Sequence, residues 1–343
     1  KNKINFFKLK KRKKNKLIKN KVLFYLPPNI GLGDAIEYAS AINIVNKKLK
    51  LKKVGIAFTD KYYYIFKKFF NLNVVYKDVI SLEELDKYNS IFHLTLEIQK
   101  LKLHEYSRSG IIKEICRFFK ISYQTSFVKK EKDATLFGEI NTISIFPIST
   151  SPIRTMSVYL LNEIIYNFGN SYNVEIFFDD NLHISKFVEK NITNNGYIKK
   201  KPTDVNSLIQ EIDKIQFGIF IDSGPLHVAN MLNKSGIFLE SSVSGNILIR
   251  NKNKINIVKN KYTSKYCSAP CGLIDIFNFN NKIGCYDTIV VKKEQILDFK
   301  FKHQLRRGIE KSNLLFYLSN PVGCIRSINN NKIINIIKNK LKK

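Results

Sequence analysis

The sequence predicts an α/β protein built from two parallel α/β domains that face each other across a cleft. Short apolar runs alternate with amphipathic helical patterns along most of the 343 residues, and this alternation begins twice, near residue 22 and again near residue 141. A chain of this length also exceeds the size at which one hydrophobic core usually keeps growing. Because open parallel sheets bind ligands at the carboxyl ends of their strands, functional residues are expected there.

The first domain begins with a strand–helix–strand unit in KVLFYLPPNIGLGDAIEYASAINIVNKKLKLKKVGIAFTD. An apolar run at 22–26 and a Pro/Gly turn precede a helical pattern at about 34–46 and a second apolar run at 54–59. This order is typical of parallel sheets. Further on, the patterns predict helices at 62–70 and 105–119, strands near Val74 and Ile91, and a mixed, charged linker at 122–138.

The second domain begins with NTISIFPIST, a strand that ends at Pro147 and is followed by a hydroxyl-rich turn. The later patterns predict helices at 156–168, 182–191 and 204–214, strands at 172–180, 217–222 and 235–241, and a further helix after residue 222. No internal repeat of fixed period is present, and the two halves are similar only in their alternation. Both halves therefore predict the same kind of parallel sheet.

The net charge of +30 raises the question of nucleic-acid binding. The basic residues are overwhelmingly Lys, whereas a protein that recognises phosphates or guanines is expected to use the bidentate Arg side chain. Abundant Lys, Asn and Ile indicate a coding bias, so no nucleic-acid partner is expected. Acidic residues are nevertheless missing from residues 1–21 and after Glu310, which leaves two basic ends around a more balanced middle.

The C-terminal segment NKIINIIKNKLKK predicts an amphipathic helix with its isoleucines near one face. Such a helix could lie on an anionic membrane surface, where each basic residue contributes about 1 kcal/mol, or pack on its own protein, and the sequence favours neither. No apolar stretch approaches the roughly 20 residues of a membrane-spanning helix, and the N-terminal residues lack the apolar block of a secretory signal. We therefore expect a cytoplasmic protein, with peripheral attachment to the inner face of the cytoplasmic membrane as an option.

Five cysteines, an odd number in a chain without an export signal, argue against a disulfide framework. Cys267, Cys271 and Cys285 could begin a zinc site. Structural zinc takes four ligands, however, and two-residue spacings are commoner than the three-residue spacing between the first two of these cysteines. We therefore assign no metal and no cofactor to the chain.

The stretch NIGLGDAIEYA puts a glycine-rich turn between a strand and a helix, where backbone amides and the positive helix end can contact a ligand. A dinucleotide fingerprint needs a third glycine, and Ile36 stands at that position after Gly31 and Gly33. Asp34 at the helix start is either an N-terminal cap or, where the turn lets a hydroxyl approach, a general base.

The stretch FIDSGPLHVANML ends a strand at Asp222 and places Ser223, Gly224 and His227 in the turn and the first helical turn. Backbone amides at such a helix start hold phosphates, and the hydroxyl and the imidazole add further donors. A Ser–His hydrolase ranks low because no G-x-S-x-G elbow is present, and a purely structural His is the other alternative. We predict a phosphate or sugar site.

The stretch FPISTSPIRTMSV follows a strand with Ser149, Thr150 and Ser151, and Arg154 precedes the next helix. Hydroxyls and a guanidinium at a strand end suit a negatively charged phosphate group. The alternative is a polar loop with an incidental Arg. The other two stretches favour the phosphate interpretation.

In this order, GLGDAI, FPISTSPIRTMSV and FIDSGPLHVANML resemble the motifs of the family 9 glycosyltransferases, whose best-known members are the heptosyltransferases of lipopolysaccharide core assembly. The last stretch is similar to the family signature D-[ST]-G-x-x-H-x-A. The resemblance spans about residues 22–285 and implies a GT-B fold of two Rossmann-like domains. The implied division is a basic N-terminal extension (1–21), an acceptor-binding domain (22–135), a nucleotide-sugar-binding domain (140–305) and a basic C-terminal helical tail (306–343).

The resemblance also implies metal-independent, inverting sugar transfer. Asp34 would be the general base that deprotonates the acceptor hydroxyl, and Arg154, where the family usually has Lys, would neutralise the donor phosphates. The implied donor-binding residues all follow strands of the second domain: Ser149, Thr150, Arg154, Asp222, Ser223, Gly224 and His227. The acceptor-side loop would contribute Gly31 and Gly33.

The sequence therefore predicts an inverting glycosyltransferase that moves a sugar, with heptose favoured, from a nucleotide-diphosphate donor such as ADP-heptose. The acceptor would be lipopolysaccharide core or another lipid-linked or surface glycan. A noncatalytic GT-B protein that binds polyanions or glycans is the first alternative, since TMS after Arg154 and FFDDN after the next strand depart from the family pattern. A dinucleotide-dependent oxidoreductase is the second alternative, and the missing third glycine argues against it.

Overall fold

The computed structural model of the chain describes residues 21–27, 30–58, 62–70, 74–77, 80–94, 110–122, 139–265, 267–272, 285–290 and 311–341. The chain divides into two compact units, Lys1–Thr125 and Ser126–Lys343. Strands and helices alternate in both units and both sheets are parallel, which confirms the α/β prediction. The boundary between the units falls within the predicted linker at 122–138.

The first unit contains the strands β1 (Lys21–Tyr25), β2 (Lys53–Phe58), β3 (Val74–Lys77) and β4 (Ser90–His93) and the α-helices α1 (Leu32–Leu49), α2 (Leu82–Asp86) and α3 (Ile111–Phe118). The sheet order is β3–β2–β1–β4. Helix α1 follows β1 directly and is buried over most of its length, because its small and apolar residues leave little polar surface. It packs against α3 and ends at Lys50, which adopts a left-handed conformation with φ 49°.

The second unit contains the strands β5 (Thr142–Phe146), β6 (Asn173–Phe177), β7 (Ile198–Lys200), β8 (Phe217–Phe220), β9 (Gly236–Leu239) and β10 (Ile255–Val258). Its α-helices are α4 (Val158–Phe168), α5 (His183–Asn191), α6 (Val205–Lys214), α7 (Gly224–Met231), α8 (Gly245–Leu248), α9 (Lys311–Ser319), α10 (Gly323–Arg326) and α11 (Asn330–Leu341). The sheet order is β10–β9–β8–β5–β6–β7. Strands β8 and β9 are entirely buried, as is typical of parallel strands covered on both faces.

Strands β8 and β9 approach each other closely at a pair of glycines. A Cβ atom added to Gly236 would lie 2.0 Å from the backbone oxygen of Gly218, so only glycine fits at position 236 without a shift of the strands. The two glycines therefore allow β8 and β9 to lie close together, and polar residues follow the carboxyl ends of both strands.

The C-terminal helix α11 packs on its own unit. Ile333, Ile334 and Ile337 are buried in the same hydrophobic cluster as Leu161 and Ile164 of α4. Of the two roles considered for this amphipathic helix, the structure supports internal packing, because these isoleucines are not available to a membrane surface. Among the described residues, no helix combines the length and apolarity needed to cross a membrane.

Several elements differ from the sequence-based expectation. The predicted helix at 62–70 contains a π-helical turn, Ile65–Phe69, and the predicted helix at 105–119 is described only from residue 110 onward. The sequence patterns did not indicate α2, α8, β7 and β10, which are three to five residues long. Such short segments cannot establish a hydrophobic period.

Candidate functional site

Three neighbouring strands of the second unit end at the same level. Phe146 of β5 pairs with Phe220 of β8, and Phe220 pairs with Phe238 of β9. Because the strands are apolar to their ends, the polar residues that follow them gather at one edge of the sheet. The sequence-predicted residues of the second unit all lie at this edge.

The loop after β5 is folded upon itself and presents Arg154. A 3₁₀ turn, Pro152–Arg154, is closed by a hydrogen bond from Arg154 N to Ser151 O (3.1 Å). Thr155 Oγ1 donates to Ser151 O (2.9 Å) and accepts from Ser149 N (3.4 Å), while Met156 N donates to Pro147 O (2.9 Å). Ser149 is therefore tied into the loop through its backbone, and the loop itself is well supplied with internal hydrogen bonds.

Arg154 binds the end of the neighbouring strand. Its Nη1 donates to the backbone O (3.1 Å) and to Oδ2 (3.3 Å) of Asp222, and its Nη2 donates to Thr150 Oγ1 (3.3 Å). The Arg154 and Asp222 side chains are only 10% and 5% exposed, so this is a buried ion pair that needs its partners to offset desolvation. The structure thus brings together three residues that the sequence placed on two separate stretches, and we call Thr150, Arg154 and Asp222 the arginine cradle.

Helix α7 begins beside the arginine cradle. Ser223 is its extended N-terminal cap (φ −154°, ψ 171°), Gly224 is its first residue, and His227 is buried in its first turn. The Ser223 hydroxyl is buried and makes no hydrogen bond within the described part of the chain. An orphaned hydroxyl beside a positive helix end is the arrangement that binds anionic ligands.

The strands on either side add polar residues at the same edge. Glu240, Ser241 and Ser242 directly follow β9 and are buried, and the hydroxyls of both serines lack a hydrogen-bond partner among the described residues. Asp180 follows β6, is exposed, and accepts a hydrogen bond from Lys201 Nζ (2.7 Å). The residues after β9 were not identified from the sequence as candidates for the site, although FLESS shows the same change from apolar strand to polar turn as FIDSG.

Asp34 lies in the first turn of α1 in the first unit. Its Oδ2 accepts a hydrogen bond from Gly31 N (3.4 Å), the N-cap residue, so the capping role considered from the sequence is present. Neither Gly31 nor Gly33 has a positive φ. The carboxylate is half-buried rather than enclosed, which leaves it accessible to a ligand as well.

Two tyrosines flank Asp34. Burial, and then the negative charge of Asp34, raise the pKa of Tyr62 to about 12. Burial, and then the charges of Asp34 and Glu37, raise the pKa of Tyr38. The Tyr62 hydroxyl donates to Ile30 O (3.1 Å), which fixes the chain just before the turn that contains Asp34. No local pattern indicates this contact, because the two residues are 32 positions apart.

Four thiols of the second unit lie near one another. Burial, and then the neighbouring thiols of Cys285, Cys267 and Cys271, raise the pKa of Cys324. The hydroxyl of Thr288 connects two of the segments, since it donates to Cys285 O (2.6 Å) and accepts from Gly323 N (2.8 Å). None of these cysteines forms a disulfide. The sequence groups three of these thiols but not Cys324, which lies 39 positions beyond Cys285.

The thiols adjoin the loop of the arginine cradle. Ile153, next to Arg154, is buried in one hydrophobic cluster with Cys285 and Cys324. Within the described residues, no three His, Cys, Asp or Glu side chains are positioned to hold a metal ion.

No protein family model matches the chain, and no curated protein sequence matches it. Solved structures do match. The iron-containing dodecameric glycosyltransferase TibC of enterotoxigenic E. coli H10407 is 12% identical over 96% of this chain and 80% of its own, with a TM-score of 0.58, and TibC has also been solved with ADP-D-β-D-heptose. ADP-heptose lipopolysaccharide heptosyltransferase II of E. coli is 11% identical over 71% of this chain and 91% of its own, with a TM-score of 0.52.

A third similar structure is a family 9 glycosyltransferase of Veillonella parvula DSM 2008. It is 10% identical over 70% of this chain and 86% of its own, with a TM-score of 0.50. At these identities the comparisons concern the fold. The chain has the α/β fold of the heptosyltransferase-like family 9 glycosyltransferases.

Proposed function

We propose that the protein is an inverting glycosyltransferase that transfers a sugar from a nucleotide-diphosphate donor to a glycan hydroxyl. The observation that supports this most directly is the arginine cradle beside the start of α7, with the orphaned hydroxyl of Ser223 next to it. The GT-B arrangement, in which two Rossmann-like domains (22–135 and 140–305) face each other across a cleft, belongs to this proposal.

The donor diphosphate would bind at the arginine cradle. A diphosphate leaving group gains negative charge as the glycosidic bond breaks, so preorganised positive groups lower the barrier. Arg154 carries five N–H donors, enough to hold Asp222 and Thr150 and to bind a phosphate. Asp222 would orient this guanidinium, and Ser149, Ser223, Gly224 and His227 would complete the donor site, to which we add Ser241 and Ser242 because their buried hydroxyls lie on the adjacent strand end.

Asp34 would act on the acceptor. As a carboxylate it would accept the proton of the acceptor hydroxyl while that oxygen attacks the anomeric carbon and the nucleoside diphosphate departs from the opposite face. One displacement of this kind needs one base and inverts the anomeric configuration. Gly31 and Gly33 would form the acceptor-side loop, and Tyr62 would hold that loop in position through Ile30.

ADP-heptose is the donor we favour. TibC, which shares the fold, has been solved with ADP-D-β-D-heptose, and heptosyltransferase II is named for an ADP-heptose donor. A lipopolysaccharide core or another surface glycan is the acceptor we favour. Attachment to the inner face of the cytoplasmic membrane through the basic ends stays a prediction from the sequence.

Thermal unfolding across a panel of nucleotide-sugars tests this proposal. A ligand that binds the native state raises its stability by mass action, by about 2.7 kcal/mol at a hundredfold excess over Kd. We expect a shift with ADP-heptose that persists in Asp34→Ala and disappears in His227→Ala. Stabilisation by polyanions alone would instead favour the noncatalytic alternative, and stabilisation by NAD would favour the oxidoreductase.

We also propose that Cys267, Cys271, Cys285 and Cys324 together hold a metal ion, in contrast to the absence of metal expected from the sequence. TibC contains iron, and four thiolates suit iron or zinc in tetrahedral geometry. In the described part of the chain no three of these thiols are placed to hold an ion, so a bound cation would have to draw them together and deprotonate them. The ion would support the loop of Arg154 through Ile153 and would take no part in sugar transfer.

Elemental analysis of the purified full-length chain tests the metal site. We expect bound iron or zinc in the wild type and its loss in Cys324→Ser. Cys116→Ser is the matched control, because Cys116 is also buried but belongs to α3 in the first unit. A wild-type protein without metal, or a Cys324→Ser variant that keeps it, would contradict the proposal.

A further inference from the structure

A cavity of about 320 Å³ lies at the carboxyl ends of β9 and β10. It opens to solvent and is lined by the residues that follow these two strands, by the segment that leads into α11 and by the first turn of that helix. None of the residues assigned to the donor or the acceptor lines it. Its volume is at the lower end of small-molecule sites, which span roughly 300–1,000 Å³, and the carboxyl end of a parallel sheet is where such sites occur.

Three lysines give the cavity a positive wall. Lys259, Lys261 and Lys332 line it, and none of them forms an ion pair with a residue that the structure describes. Other lysines of the same unit differ in this respect, since Lys199 and Lys200 bind glutamates. The ammonium groups at the cavity therefore remain available to an anionic ligand.

Glu240 is the one carboxylate that lines the cavity among the described residues, and it binds the backbone of the cavity wall. It is buried, its Oε2 accepts from Gly245 N (2.8 Å), and its Oε1 accepts from Asn260 N (3.3 Å). Both oxygens are thus bound to backbone amides of the segments that surround the cavity. Glu240 fixes these segments, and three lysines against one glutamate leave the cavity with a net positive charge.

An aromatic ring and polar groups complete the lining. Tyr262 packs so tightly against Gly323 that a Cβ atom added there would lie 2.2 Å from the ring. Leu239, Val258 and Ile333 extend this apolar surface, and Ser327 and Asn329 add polar groups. A ligand that matches all of these features has a compact ring with one apolar face, several hydroxyls and one anionic group.

We propose that this cavity binds a phosphorylated monosaccharide, as a ligand distinct from the nucleotide-sugar of the arginine cradle. The phosphate would bind Lys259, Lys261 and Lys332, and the sugar ring would lie on Tyr262. A free sugar phosphate and a phosphorylated sugar within a glycan share this chemistry. The second source would make the cavity a recognition site for phosphorylated glycans.

Calorimetric titration of the full-length chain with glucose 6-phosphate tests this inference. We expect saturable binding that weakens at least about tenfold in Lys259→Gln/Lys261→Gln, through the loss of charge-assisted hydrogen bonds. Lys252→Gln/Lys254→Gln is the matched control, because it removes the same charge at the opposite end of β10, and it should bind as the wild type does. Circular dichroism melting of both variants verifies that they fold.

The methyl glycoside of glucose 6-phosphate separates the two ligand sources. Equal binding of this blocked sugar supports a glycan-borne ligand, and binding of the reducing sugar alone supports a free one. Three results would overturn the inference: no binding at millimolar concentration, equal weakening in both lysine variants, or binding that disappears in Arg154→Lys and is displaced by ADP. The last result would place the sugar phosphate at the arginine cradle.

Discussion

Replacing Arg154 with Ala is expected to lower the free energy of unfolding by about 3–5 kcal/mol, because it leaves the buried carboxylate of Asp222 without its charged partner. The same change removes the hydrogen bond to Thr150 and with it the connection between the ends of β5 and β8. Urea denaturation at neutral pH measures the effect. Nucleotide binding should be lost together with stability, since one guanidinium serves both.

Two further variants measure how strongly the stabilising effects of Arg154 and Asp222 depend on each other. Asp222→Ala alone should also be strongly destabilising, but the double variant Arg154→Ala/Asp222→Ala should lose less than the sum of the two, because no buried charge remains unpaired. Arg154→Lys retains the charge and should lose less stability than Arg154→Ala. Additive losses would show that the two side chains contribute independently, which a coupled ion pair does not allow.

Replacing Asp34 with Asn is expected to reduce kcat by roughly 10²–10⁴, the usual contribution of a positioned general base. The KM for the donor should not change, because the proposed donor site lies in the other unit. Stability should change little, since the Asn side chain can still accept the hydrogen bond from Gly31 N. Initial rates measured with the donor identified by thermal stabilisation check all of this.

Glu37→Gln is the matched control for Asp34→Asn. Glu37 is a buried acid on the same helix, one turn further from the strand end. The Glu37→Gln substitution should reduce kcat far less than Asp34→Asn does. An unchanged kcat in Asp34→Asn would mean that Asp34 only caps α1.

Local patterns in the sequence predicted most of the strands and helices of the α/β fold. The strands at 142–146, 173–177 and 217–220 are apolar runs that end in polar turns, and the helices that follow have the expected period. Ser157 and Asp204 cap α4 and α6 through their side chains, as residues of this type do at helix starts. Such features depend only on neighbours along the chain.

Contacts between distant residues could not be predicted in this way. The hydrogen bond between Arg154 and Asp222 joins residues 68 positions apart. The sequence predicted both as donor-binding residues and did not predict that they contact each other. The burial of Ile333 and Ile337 against α4, and the gathering of Cys324 with the earlier thiols, depend likewise on how segments pack in three dimensions. A sequence period identifies an apolar face but not what covers it.

Binding of a nucleotide-sugar diphosphate at the arginine cradle is tested most directly by calorimetric titration of the wild-type protein with ADP. We predict saturable binding of ADP that ADP-heptose displaces, that weakens in Arg154→Lys, and that survives in Asp34→Asn and in Lys259→Gln/Lys261→Gln. Binding of ADP that is insensitive to Arg154→Lys, or no binding of ADP or ADP-heptose at all, would contradict this role of the cradle.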